Sequence, residues 1–93
     1  KSDLPEKIVL EQNYPNPFNP STVISYQLPV NSVVKLQIYD MLGREVATLI
    51  DGERKAAGKY NVTFNAGNLA SGIYIYQLKV GNSIFTKKLS LIK

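Results

Sequence analysis

Apolar and polar residues alternate strictly from Val23 to Leu28, with Ile24, Tyr26 and Leu28 on one side and Val23, Ser25 and Gln27 on the other. That two-residue period belongs to a half-buried strand. It returns at Val34, Leu36 and Ile38 against Lys35, Gln37 and Tyr39, and again at Tyr60, Val62 and Phe64 against Asn61, Thr63 and Asn65. Two more runs, Ile73 to Val80 and Ile84 to Leu91, flank Gly81-Asn82-Ser83, a tight hairpin signal. No segment sets apolar residues at i, i+3, i+4 and i+7 over three turns, so little or no helix is expected. About seven short strands with a turn signal roughly every 8–12 residues predict an all-β fold, a small antiparallel immunoglobulin-like β-sandwich. The tryptophan and paired cysteines of antibody domains are absent, which leaves the exact topology open.

The breaks between runs carry their own chemistry. In Asn13-Tyr14-Pro15-Asn16-Pro17-Phe18-Asn19-Pro20-Ser21 three prolines lack the N–H a ladder needs, so this block is an ordered loop or an edge. Tyr14 and Phe18 are expected to pin it by dipping toward the core, and Asn16 and Asn19 to satisfy turn backbone groups. Asp40-Met41-Leu42-Gly43 has Asp and Gly where a type I turn with a Gly bulge places them, so residues 44 to 50 should return beside 34 to 39. A loop is expected around Asp51-Gly52 and Ala57-Gly58, and a polar connection from Asn65 to Gly72. Ile8 and Val9 are the first apolar contacts after an N-terminal linker.

Ninety-three residues make one domain with one core. The chain has neither cysteine nor histidine, so the commonest general base, the usual nucleophile pairs and the ordinary zinc ligand sets have no residues to build them. An enzyme is not expected, and no cofactor. No apolar run is long enough to span a membrane, and Lys1-Ser2-Asp3-Leu4-Pro5 has no signal-peptide core. The start without Met points to a piece of a longer chain. Residues 1 to 53 carry four bases and seven acids, a net of −3, whereas residues 54 to 93 carry seven bases and no acid. A basic half can meet nucleic acid, an anionic membrane or lipopolysaccharide, or simply be a solvated face.

Three groups of residues qualify as candidate sites. Asp40, Asp51 and Glu53 offer oxygen ligands to Ca²⁺, but turn chemistry accounts for Asp40 and Asp51 without metal. The six tyrosines can stack on sugar rings, yet most fall on strand faces where they are ordinary core formers. The last hairpin interleaves Tyr74, Tyr76 and Phe85 with Lys79, Lys87 and Lys88, a pattern compatible with single-stranded nucleic acid. Edge protection explains those lysines better, and no nucleic-acid partner is expected.

Asn13 to Thr22 resembles the opening motif of type A C-terminal sorting domains of type IX secretion systems. The resemblance continues in Val34 to Val46, in Ala57-Gly58-Lys59-Tyr60, in Ala70-Ser71-Gly72-Ile73-Tyr74, and in Thr86 to Lys93. Its main departure is Phe64-Asn65, where many relatives carry Trp-Asp. It implies residues 1–9 as a linker from an upstream cargo and residues 10–93 as a non-catalytic sorting domain. Such a domain docks on the outer-membrane translocon after periplasmic transit, and a sortase-like cysteine peptidase often removes it, leaving the cargo at the cell surface or outside. Tyr14, Pro15, Asn16, Pro17, Phe18, Asn19, Pro20, Asp40, Gly43, Gly72 and Tyr74 are then structural motif residues. Docking is assigned to Lys79, Lys87, Lys88 and Lys93, because a terminal strand is free to present an edge to a partner. The alternative is an immunoglobulin-like spacer or carbohydrate-binding module of a secreted enzyme.

Overall fold

The computed structural model describes residues 6–93; residues 1–5, the first part of the expected linker, lie outside the described residues. Seven strands follow one another: β1 (Val9–Leu10), β2 (Ser21–Leu28), β3 (Ser32–Tyr39), β4 (Glu45–Lys55), β5 (Gly58–Asn65), β6 (Gly72–Val80) and β7 (Ser83–Leu91). All pair antiparallel, in one sheet of order β1-β2-β5 and a second of order β4-β3-β6-β7. There is no helix among the described residues.

The alternation read from the sequence decides which face is buried. Ile24, Tyr26 and Leu28 of β2 and Phe64 of β5 meet Val34, Leu36 and Ile38 of β3, Tyr74, Tyr76 and Leu78 of β6, and Leu89 and Leu91 of β7. Val62 is half-buried and packs against them.

Two hairpins are built as their turn residues require. Asp40 and Arg44 close the β3–β4 turn with a 2.9 Å bond, the Gly43 N–H donates to the Asp40 carbonyl at 3.0 Å, and Gly43 takes a φ of +85°. In the β6–β7 hairpin Gly81 alone has positive φ (+58°), as the first central residue of a type II′ turn must.

The expected loop at Asp51-Gly52 is not a loop. β4 runs eleven residues straight through it. Its register with β3 shifts three times, leaving Val46, Leu49 and Gly52 as extra residues opposite none. Each is a β-bulge, and Gly52 supplies the φ of +67° that its bulge demands. Bulges this frequent erase the two-residue period, which is why the strand was not legible there.

Two connections between sheets are fastened by a tyrosine at the start of the next strand. The Tyr60 hydroxyl donates to the Ala56 carbonyl at 2.6 Å, and the Tyr74 hydroxyl donates to the Ala70 carbonyl at 2.7 Å. Both reach back four residues, the geometry of the tyrosine corner in immunoglobulin-like sandwiches.

Two other tyrosines sit in the core with opposite hydrogen-bond fates. The Tyr76 hydroxyl accepts the Asn13 N–H at 2.8 Å and donates to the Glu11 carbonyl at 2.6 Å. The Tyr26 hydroxyl has no partner among the described residues, although its ring stacks on Tyr60 at 5.2 Å. Burial pushes both phenols from the ordinary 10.0 up to about 12, helped at Tyr26 by Tyr60 and Glu53 and opposed at Tyr76 by the Asn13 N–H.

Tyr76→Phe should therefore cost about 1–3 kcal/mol in urea melts, because it strands a donor and an acceptor, whereas Tyr26→Phe should be neutral or mildly stabilising. The unfolded chain ionises these phenols near pH 10.0 while the fold keeps them protonated to about 12. Stability should be full below pH 10 and fall as pH rises toward 12, with each Phe variant flattening that decline.

Candidate functional site

The Pro-Asn block forms a strap from the first sheet to the second. It starts along β2, where Glu11 donates to Ser25 and Tyr14 exchanges two bonds of 3.0 and 2.9 Å with Val23. It then crosses the end of the sandwich to β7, where Phe18 donates to the Ser90 carbonyl and accepts the Ile92 N–H, both at 2.9 Å. The Tyr14-Pro15, Asn16-Pro17 and Asn19-Pro20 bonds are cis.

Phe18 dips into the core as expected, 2 % exposed, with its ring 6.2 Å from that of Phe64. Tyr14 does not. Its ring is 81 % exposed, since the β-bridge to Val23 fixes its backbone and turns the side chain to the outer face. The residue that pins the near end is Asn13, whose signal in the sequence was hidden by its resemblance to a turn residue. Its side chain is buried yet fully engaged: Nδ2 donates to the Pro15 carbonyl and to Thr22 Oγ1, and Oδ1 accepts from Gln12 Nε2. Asn16 accepts the Ser90 N–H through Oδ1 at 2.9 Å. Asn19 makes no hydrogen bond through its side chain among the described residues.

This strap occupies the edge that the sequence offered to a partner. The even-numbered residues of β7 turn their backbone groups away from β6, and Lys88 O, both groups of Ser90 and Ile92 N are taken by Gln12, Asn16 and Phe18. Among the described residues the terminal strand is left open at Ile84, Thr86 and the Lys88 N–H.

The four lysines assigned to docking do not form one patch. Lys79 and Lys88 lie on the outer face of the second sheet, about 13 Å apart along the strand direction. Lys87 points the other way, on the inner face beside Tyr76, where it is half-buried. The shared parity of Lys87 with Leu89 and Leu91 is the signal that places it there. Lys93 is tied to the β5–β6 connection, its ammonium donating to the Gly67 carbonyl at 2.8 Å and its N–H to Ser71 Oγ at 3.0 Å. Phe18→Ala should cost about 3–5 kcal/mol as a lost core ring, and amide exchange should then quicken at Ser90 and Ile92.

Between Lys79 and Lys88 the outer face holds an open concavity of about 430 Å³, lined by Tyr39, Asp40, Met41, Gly43, Ile75, Gln77 and Thr86. The β3–β4 turn curls over it. Gln37 at its flank is buried although it faces outward, because Glu45 and the Tyr39 hydroxyl hold its amide at 3.0 and 2.9 Å. The Asp40 carboxylate accepts the Leu42 and Arg44 N–H groups and the Arg44 Nε. Its oxygens are thus used by the turn. Asp51 faces Lys35 and Glu53 faces Lys55, and the described residues contain no cluster of three carboxylates that would hold a metal.

The Arg44 N–H, then the Arg44 side chain and the Leu42 N–H, hold Asp40 below the ordinary 3.8. A lowered carboxylate contributes stability that is present above the unfolded pKa and lost as pH falls through the folded one. The Asp40 carboxyl should titrate below 3.8 by NMR, the turn should loosen on acidification through that lower value, and Asp40→Asn should abolish this pH dependence.

CopC from Methylosinus trichosporium OB3b has a crystal structure similar to this chain, with a TM-score of 0.52 and 18 % identity over 90 % of each chain. That likeness speaks to the sandwich fold alone. No curated protein matches the chain. A family model described as the secretion system C-terminal sorting domain matches residues 12–93, from the start of the strap through β7 to Lys93, and the chain belongs to that family.

Proposed function

We propose that this domain is a non-catalytic address that directs an attached cargo through the type IX translocon of the outer membrane. The family match over residues 12–93 carries the reading. In it, residues 1–9 join the domain to its cargo, the domain passes through the periplasm, and a sortase-like cysteine peptidase separates cargo from address at the cell surface.

The geometry supports a folded signal over a linear one. β7 is zipped to β6 on one side and to the strap on the other, so a translocon meeting this domain meets a sandwich whose last strand is already paired. Docking is therefore best assigned to the outer face of the second sheet, with Lys79 and Lys88 flanking the apolar floor made by Tyr39, Met41 and Ile75. Lys93 contributes by holding the terminus against the β5–β6 connection, while Lys87, on the inner face, is left out of the docking surface. No observation favours a sugar-binding module, since Tyr26, Tyr74 and Tyr76 are buried and cannot form a stacking platform.

The test fuses residues 1–93 behind an exported reporter in a bacterium that has this secretion system. Lys79→Glu with Lys88→Glu should leave stability within about 1 kcal/mol, since exposed charges contribute little, and should reduce export about tenfold. Wild-type export by a folded double variant removes the docking role from this face. Failure of the unmodified fusion to leave the cell removes the address function itself.

A further inference from the structure

A sheet edge is a row of unpaired N–H and C=O groups, and natural sandwiches shield such rows with bulges, charges, shortness or a covering segment. Three of the four edges here are shielded. β1 is two residues long, β4 carries three bulges and five charged residues, and β7 is covered by the strap over its C-terminal half. Among the described residues β5 has none of these devices. It pairs with β2 over eight residues without a register shift, and its only charge is Lys59 at one end.

The ladder fixes which groups are bare. Ala66 donates to the Pro20 carbonyl, so the even-numbered residues of β5 bond to β2 and the odd ones point their backbone outward. Lys59, Asn61, Thr63 and Asn65 thus present a continuous row of donors and acceptors with no backbone partner among the described residues. Beside that row Tyr60 and Val62 face the core yet stay half-buried, so apolar surface lies open along the same edge.

We propose that the β5 edge pairs antiparallel with β5 of a second copy of this chain, joining the two three-stranded sheets into one. The sequence of the strand suits a two-fold axis at Val62. Asn61 then lies opposite the second copy's Thr63 and Lys59 opposite its Asn65, which forms about eight backbone hydrogen bonds and sets no like charges face to face. On the inner side Val62 meets Val62, and Tyr60 meets Phe64, covering the surface a single copy leaves half-exposed. The pairing involves neither the outer concavity nor Lys79 and Lys88, and stands independently of the sorting function.

Sedimentation equilibrium of the 93-residue chain, in a concentration series up to about 1 mM, should show the mass rising from one chain to two. Hydrogen exchange should gain protection with concentration at the amides of Lys59, Asn61, Thr63 and Asn65. Asn61→Lys with Thr63→Lys sets ammonium groups opposite one another across the axis, giving up within the chain only the exposed bond from Ser25 Oγ to Asn61 Oδ1, and should return the chain to one copy while staying folded, with a melting temperature close to the parent's at dilutions where the parent is also single. Thr63→Pro, which deletes a single outward N–H, should do the same. A chain that stays single throughout, or a dimer that survives both variants, overturns the proposal. Protection of these four amides that arises only when purified translocon is added also overturns it, and gives the edge to the secretion machinery.

Discussion

The hydroxyl of Tyr76 and the ring of Phe18 together hold the strap, and the strap holds the sandwich closed. With no disulfide available, the two sheets are joined at this side only by packing and by what crosses between them. Tyr76 belongs to the second sheet, yet its hydroxyl bonds the backbone of residues 11 and 13, which run beside the first. Phe18 then carries the chain back to β7 and fills the space next to Phe64. Each contact is worth only a few kcal/mol by itself. Because they share one short, proline-stiffened segment that has little freedom to lose, ordering one end prepares the other.

Strands with an unbroken ladder were legible because a pleated backbone sends alternate side chains to opposite faces, and a hydrophobic core on one face writes that period into the residues. β2, β3, β5, β6 and β7 are of this kind, and the Asp40-to-Gly43 turn was legible from its two special residues. β4 was not. Its three extra residues shift the phase every few positions, so Val46, Leu49 and Ile50 all touch the core without any period to announce it. In the strap, residue identity misled. Tyr14 has more apolar surface than Asn13, but the β-bridge sets the parity, and parity puts Asn13 inside and Tyr14 outside. The placement of Lys87 was written in the chain, two residues before Leu89, and was obscured by grouping it by charge with Lys79, Lys88 and Lys93 rather than by parity.

The segments that resemble sorting domains coincide with the devices that fix the fold. Asn13 to Thr22 is the strap, and Val34 to Val46 is the hairpin closed by Asp40 and Gly43. Ala57 to Tyr60 and Ala70 to Tyr74 each end on a corner tyrosine, bonded four residues back to an alanine carbonyl. Such residues are constrained by geometry that no other side chain supplies equally well, as with a phenol long enough to reach the preceding corner. The segments that carry the resemblance are to that extent segments that build the architecture.

The acids of the second sheet gather at its β4 side, where Asp40, Asp51 and Glu53 are matched by Arg44, Lys35 and Lys55. Lys79 and Lys88 on the outer face of β6 and β7 have no ion pair among the described residues, so part of the basic excess of residues 54 to 93 stands there unmatched. Screening limits its range to about 8 Å at physiological salt, less than the roughly 13 Å between Lys79 and Lys88 along the strands. In the docking proposed above, the two lysines would act as separate contacts that fix orientation and reject cationic partners. Affinity for a partner seated between them would then have to come from burying Tyr39, Met41 and Ile75, so that in the proposed docking the apolar floor discriminates and the rim steers.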